Sequence, residues 1–267
     1  MTAPQPLLPI RNGVAERLHG VPLVVLLDVD GTLAPISSRP DAALVPPETR
    51  RIVAALAART GVYVALVSGR AAADARRMVS VANAWVIGNH GYEIAGPDGE
   101  EMVDPQAASY RATVALASRR LAPQLAPVPG VILEDKGWTL SIHYRLADPA
   151  VVPRLRSTIE ETIKPLGLRL TTGKLVFEVR PPARVDKGTA VVTLGLRLGA
   201  FKEESSVVFV GDDATDEDAF RALRSRSRRA VTVRVTHDDP TPTAAEFELG
   251  TTADVRTFLE WLVQSRN

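Results

Sequence analysis

The sequence predicts an α/β fold: a doubly wound, Rossmann-like parallel sheet with an inserted, smaller α+β domain that carries an antiparallel sheet. Three observations predict it. Continuous apolar runs such as "LVVLL" and "SVVFV" alternate with helical patterns, as buried parallel strands joined by crossover helices do. Polar clusters follow directly on those runs. From about residue 102 to 182 the texture changes to polar–apolar alternation in two segments, each split by a glycine, which reads as antiparallel hairpins.

The elements follow in order. Residues 1–20, with three prolines in the first nine and no charged-then-apolar order, read as a loosely ordered lead-in and not as a signal peptide. "LVVLL" is the first strand. "PPETRRIVAALAARTG" opens on prolines, places Ile52, Val53 and Leu56 on one face and stops at Gly61, so it is a helix. "VYVALVSGR" is the second strand, a short helix runs through Ala71 to Met78, and "AWVIG" is the third. The insertion, residues 102–182, holds helical stretches near 105–122 and 150–164 around "VILEDKGWTLSIHYRL" and "LRLTTGKLVFEVRP". The first texture returns at "DKGTAVVTLGLRLG", and "SVVFVGDD" and "AVTVRV" complete the sheet. Residues 21–101 and 183–267 therefore form one domain and the insertion a second.

Composition excludes several classes of function. A chain of 267 residues, 45% hydrophobic and 24% charged with a net charge of +1, has no nucleic-acid footprint and no polybasic anchor. The cluster "RALRSRSRR", with five arginines in nine residues, reads as a solvated helix end. Apolar runs fall far short of a membrane span. The absence of cysteine rules out disulfides and thiolate metal sites and favours a reducing compartment, so a cytoplasmic location is expected, and a monomer is the expected state.

In open parallel sheets, ligands bind outside the carboxyl ends of the strands. Asp28 and Asp30 follow the first strand, Ser68, Gly69 and Arg70 the second, and "GDDATDEDAF" the fourth. Lys187 starts the helix leading into that fourth strand. Four carboxylates, those of Asp28, Asp30, Asp212 and Asp213, cannot stand together ionised, because each close pair repels by roughly 4 kcal/mol at an effective dielectric of 20. One lysine is too little. A hard divalent cation keeping waters and a substrate phosphate, as Mg²⁺ does, answers the deficit. Gly31 permits the tight turn after the aspartates, and Thr32 offers hydroxyl or amide donors. Thr215 and the acids after it also suit a helix N-terminus. There Asp216 serves both cap and metal shell, while Glu217 and Asp218 read as solvated surface.

"DVDGT", "VSGR", "DKG" and "GDDATDE", in that order, resemble the four motifs of the haloacid dehalogenase-type phosphohydrolases, with an α/β cap between the second and third. The resemblance implies that Asp28 attacks phosphorus to form an aspartyl-phosphate. Asp30 then protonates the departing sugar oxygen and later activates water. It further implies Mg²⁺ held by Asp28, the Asp30 backbone carbonyl and Asp212, with Asp213 and Asp216 in support. Gly31, Thr32, Ser68, Gly69, Arg70 and Lys187 are expected against the phosphate, with Ser68 and Lys187 holding its oxygens in the transition state.

In the insertion, alternation puts Ser141, His143 and Arg145 on one face and Lys174, Glu178 and Arg180 on one face, with Glu134 and Lys136 in "EDK". Such a face suits solvent, or a lid that grips a polyhydroxyl group through charge-assisted hydrogen bonds. "GNHGYE", "EDKGWTLSIHYR", "KLVFEVRP" and "GDDATDEDAF" are similar to the trehalose-6-phosphate phosphatases. This implies a small sugar phosphate, trehalose 6-phosphate, as substrate, with contacts from Asn89, His90, Glu134, Lys136, His143, Arg145, Lys174, Glu178 and Arg180. The sequence departs from that pattern at Asn89, where serine is common, and in "AVTVRV", where glycines are common. Sucrose 6-phosphate and a glycosyl phosphoglycerate are the alternative substrates. A sugar-phosphate sensor without catalysis is expected to lack an aspartate or the lysine, and none is missing.

Overall fold

In chain order the elements are Gln5–Pro6 (β1), Leu7–Leu18 (α1), Leu23–Asp28 (β2), Pro47–Ala57 (α2), Val62–Val67 (β3), Ala72–Val79 (α3), Trp85–Gly88 (β4), Glu93–Ala95 (β5) and Glu101–Val103 (β6). Next come Pro105–Ser109 (α4), Arg111–Leu125 (α5), Ile132–Asp135 (β7), Leu140–His143 (β8), Val152–Ile163 (α6), Arg169–Gly173 (β9) and Val176–Arg180 (β10). The chain closes with Lys187–Leu198 (α7), Ser206–Gly211 (β11), Asp216–Arg226 (α8), Val231–Val235 (β12), Phe247–Leu249 (β13) and Thr252–Gln264 (α9). This computed structural model describes residues 3–36, 43–173, 175–237 and 241–266. Two compact units emerge, Met1–Met102 with Asp186–Asn267, and Val103–Val185. None of the described helices is long and apolar enough to cross a membrane.

The first unit is built on a sheet of order β1-β13-β12-β11-β2-β3-β4-β5-β6. Pairing is parallel from β1 through β4, and β5 returns antiparallel to β4. Both faces are covered, which is why β2 shows no polar alternation. Leu23, Val25 and Leu27 pack into one apolar layer and Val24 and Leu26 into the other. Each such side chain contributes about 1.5–3 kcal/mol of burial.

The expected lead-in is ordered. Leu7, Val14 and Leu18 of α1 are buried in the core, and Arg17 donates to both carboxylate oxygens of Glu246 at 2.8 and 2.7 Å. The prolines do not oppose this helix. Pro6 stands at its N-cap and Pro9 in its first turn, where the backbone N–H has no intrahelical acceptor. The strands β1, β5, β6 and β13 also extend the sheet beyond the five read from the apolar runs. Three arginines of the basic cluster are tied to their own unit. Arg224 donates to Ala244 O at 2.6 Å, Arg229 to Glu16 O at 3.1 Å, and Arg226 lies over the Phe201 ring.

The second unit is a four-stranded antiparallel sheet, order β7-β8-β10-β9, with α5 and α6 on one face. Val114, Leu121, Leu155 and Ile159 of the helices pack on Leu140, Ile142, Phe177 and Val179 of the strands. The turn between β7 and β8 needs a left-handed residue, supplied by Gly137 at φ 79, whose N–H donates to Asp135 at 2.8 Å. Register then sets Glu134 and Glu178 on either side of Ser141, on the face away from the helices.

Candidate active site

Lys187 is the centre of the first unit's polar edge. A capping box starts its helix, with the Asp186 carboxylate accepting from Thr189 N and the Thr189 hydroxyl accepting from Asp186 N. The helix thereby delivers a buried ammonium to the ends of β2 and β11. Nζ lies 2.8 Å from Asp28 Oδ1, 2.7 Å from Asp216 Oδ1 and 3.6 Å from Asp213 Oδ1.

The loop after β11 is wound around Asp216, which is fully buried. Its Oδ2 accepts from Asp212 N at 2.8 Å and Asp213 N at 3.0 Å, so Asp216 fixes the loop from inside. Asp213 Oδ1 accepts from Thr215 N, the Thr215 hydroxyl and Asp216 N, and so takes the capping position expected of Thr215. Glu217 is not solvated surface. Its Oε2 accepts from Ala244 N at 2.7 Å and its Oε1 from the Thr243 hydroxyl, fastening the segment before β13.

Burial outweighs Lys187 at Asp28 and raises its carboxyl well above the ordinary range, with Asp216, Asp212 and Asp213 adding to the rise. Burial also lifts Asp212, to about 8, and Asp216, to about 7. At Asp213 burial is overcome by Lys187, the Thr215 hydrogen bond and His90, and the carboxyl is held below its ordinary value. Lys187 is raised despite burial, because Asp216, Asp28 and Asp213 hold its proton.

One oxygen each of Asp28, Asp212 and Asp216 lie within 4.8 Å of one another. Asp28 Oδ2 and Asp212 Oδ1 are buried and meet no hydrogen-bond partner among the described residues. Both oxygens of Asp216 are already engaged, whereas Asp28 and Asp212 each keep an open oxygen among the described residues. An all-oxygen set with bare, buried carboxylate atoms fits a hard divalent cation such as Mg²⁺.

Other expected contacts fall differently. Arg70 does not stand free for phosphate; Nε and Nη2 each reach an Asp30 carboxylate oxygen at 2.7 Å. Asn89 is fully buried and donates to Glu93 Oε1 at 2.7 Å, so it holds its own loop instead of facing a ligand. That same Glu93 oxygen accepts from Ala72 N, joining the loop to α3. The His90 ring lies against Gly69, where a Cβ would fall 2.5 Å from it, and the His90 backbone N–H donates to Ser68 O at 3.0 Å. Ser68 is buried, its hydroxyl accepting from Arg70 N at 3.1 Å. Thr32 is fully buried, with Oγ1 unpartnered among the described residues. At Gly31, φ is +84 and a Cβ would meet Asp212 Oδ2 at 2.1 Å, so only glycine fits.

On the polar face of the second unit, Glu134 Oε2 pairs with His143 Nε2 at 2.9 Å and Lys136 Nζ lies 3.8 Å from Glu178 Oε1. Ser141 donates to that Glu178 oxygen at 2.7 Å, while Glu178 Oε2 is buried without a partner among the described residues. Arg180 ends β10 opposite Arg169, and Arg145 lies beyond the end of β8. Lys174 lies outside the described residues.

Sequence reasoning missed Glu93 as a loop holder, although "GNHGYE" contains it, and missed His237, whose Nε2 is 2.7 Å from Gly31 O. No local pattern marks His237.

Residues 26–252 match the trehalose-phosphatase family. Trehalose-phosphate phosphatase of Mycobacterium avium is 36% identical over 257 residues, covering 94% of this chain and 64% of that protein. A protein described as an uncharacterized glycosyl hydrolase of Mycobacterium tuberculosis is 35% identical over 258 residues, which are 96% of this chain and 19% of that one. The chain thus spans less than two thirds of the length of these relatives. In fold it is similar to the crystal structure of a trehalose-6-phosphate phosphatase related protein, with TM-score 0.78 and 24% identity over 90% of this chain and 97% of that one. By the extent of these matches, the chain belongs to the trehalose-phosphatase family.

Proposed function

We propose that this chain hydrolyses trehalose 6-phosphate to trehalose and phosphate, with Mg²⁺ as cofactor and an aspartyl-phosphate intermediate. The observation that carries the reading is the pair of bare, buried oxygens on Asp28 and Asp212 beside a single buried lysine. Asp28 is the nucleophile. One of its carboxylate oxygens forms the bond to phosphorus as the bond to the sugar oxygen breaks, with Lys187 Nζ held 2.8 Å from Oδ1. Asp30 gives its proton to the departing sugar oxygen and takes one from the water that cleaves the aspartyl-phosphate. For this it must leave Arg70, which in the free chain occupies both of its oxygens. Mg²⁺, when bound by Asp28 and Asp212 with the Asp30 carbonyl, screens the repulsion between carboxylate and phosphate. Lys187, Ser68 and the Gly31–Thr32 turn hold phosphate oxygens as charge moves onto them.

The second unit supplies sugar recognition in this reading. Glu134, Lys136, His143, Arg145, Glu178 and Arg180 offer charge-assisted hydrogen bonds to hydroxyl groups. The test is phosphate release by the purified chain from trehalose 6-phosphate, sucrose 6-phosphate and a glycosyl phosphoglycerate, with Mg²⁺ and with chelator. Chelator-sensitive release that favours trehalose 6-phosphate is expected. Release equal on all three substrates refutes the substrate assignment, and release indifferent to chelator refutes the cofactor.

A further inference from the structure

We infer that His237 is a positioning residue for the site, acting through the Gly31 carbonyl to set both the seat of Asp212 and the direction of the Thr32 amide. The inference rests on the reading above, in which Asp212 holds a divalent cation and Thr32 faces phosphate. His237 Nε2 lies 2.7 Å from Gly31 O. A carbonyl only accepts, so Nε2 carries the proton in this contact. The same nitrogen is 3.9 Å from Asp212 Oδ2, which places one N–H between the first loop and the acid after β11.

The ring is anchored to the sheet. His237 N donates to Gly250 O at 3.0 Å and Thr236 N to Leu249 O at 2.9 Å, so the residue continues the pairing of β12 with β13. It does so at φ 46, a left-handed backbone that residues with a Cβ rarely adopt. Gly31 is equally constrained, since its Cα faces the Asp212 carboxylate with no room for a methyl group. The peptide after Gly31 is planar and trans, so a carbonyl directed at His237 turns the Thr32 N–H to the opposite side. A displaced Gly31 therefore moves a metal ligand's support and a phosphate donor together.

The experiment is Mg²⁺ titration by calorimetry of the chelator-stripped chain as wild type, His237→Ala and His237→Gln, alongside metal-free melting and phosphate release from trehalose 6-phosphate. His237→Ala is expected to bind Mg²⁺ about tenfold more weakly or worse, as when partners of metal ligands are removed. Its metal-free melting temperature should stay within about 3 °C, equivalent to roughly 1 kcal/mol or less. His237→Gln, whose amide can donate to the Gly31 carbonyl, should recover most of the affinity. A purely structural role moves melting and leaves Mg²⁺ affinity alone. Should His237→Ala not fold, His237→Met against His237→Gln makes the same comparison, because only glutamine donates. A wild type that binds Mg²⁺ and releases phosphate, with a donor-less variant binding within twofold of it, overturns the role of His237 alone. A wild type that does neither removes the functional reading, and this inference falls with it.

Discussion

The two units hold their charges in opposite ways. In the first, one ammonium stands among Asp28, Asp213 and Asp216, with Asp212 beside them, and two buried carboxylate oxygens meet no hydrogen-bond partner among the described residues. In the second, each acid of the polar face has a basic neighbour, Glu134 with His143 and Glu178 with Lys136, and one oxygen of Glu178 meets no partner among the described residues. An unbalanced cluster invites a cation and a charged reactant. A balanced polar face can hydrogen-bond neutral hydroxyl groups without a counter-ion. The difference matches the proposed division between chemistry in the first unit and sugar recognition in the second.

Breaking the unbalanced side gives the largest effect. Asp28→Asn keeps an acceptor for Lys187 but removes the proposed nucleophile, so phosphate release should fall on the order of 10⁴-fold or more with the fold intact. Steady-state turnover with circular dichroism checks both parts, and a variant retaining full turnover refutes the assignment. Lys187→Met strikes the same cluster through stability. It strips Asp28 and Asp216 of their cation in a buried setting, and breaking a buried pair in this way costs about 3–5 kcal/mol. Urea denaturation in chelator should show that loss.

The balanced side should respond more gently and only toward the sugar. Glu178→Gln weakens the pairing with Lys136 and removes a charged acceptor, and hydrogen bonds to charged groups contribute roughly 1.5–3 kcal/mol. The specificity constant for trehalose 6-phosphate should fall about 10- to 100-fold by that measure. Turnover of a small aryl phosphate, which offers no sugar hydroxyls, should not change. An equal loss on both substrates contradicts the division of labour between the units.

What the sequence made legible follows the same division. Asp28, Ser68 and Asp212 were readable because each ends or follows an apolar run, and a parallel sheet gathers such ends on one edge. Lys187 was readable through the helix start beside it. The order of α1 was hidden by prolines, whose positions in the first turn only the helix register makes harmless. His237, Glu217 and Glu93 each hold a backbone group 206, 27 and 21 positions away, so the residues around them in sequence do not reveal what they fasten. Asn89 and Arg70 show the converse. Their place in a motif predicted a ligand contact, while tertiary packing gave them Glu93 and Asp30.

The smallest effect to measure is also the most direct test of the charge imbalance. Asp212 and Asp216, raised by burial to about 8 and about 7, keep protons in the metal-free folded chain that the unfolded chain has already released. Between the ordinary carboxylate range and about pH 8 the folded state therefore binds more protons than the unfolded state, and stability must fall as pH rises. The depressed Asp213 acts in the opposite sense only at acid pH, below its ordinary range, and does not offset this window. In chelator the melting temperature should thus be higher at pH 6 than at pH 8. Saturating Mg²⁺ needs the carboxylates deprotonated, so its affinity should rise over the same interval and its presence should flatten or reverse the slope. A metal-free chain that instead gains stability from pH 6 to pH 8 means that the acids at the strand ends are ionised without a cation, and the case for a metal there loses its physical basis.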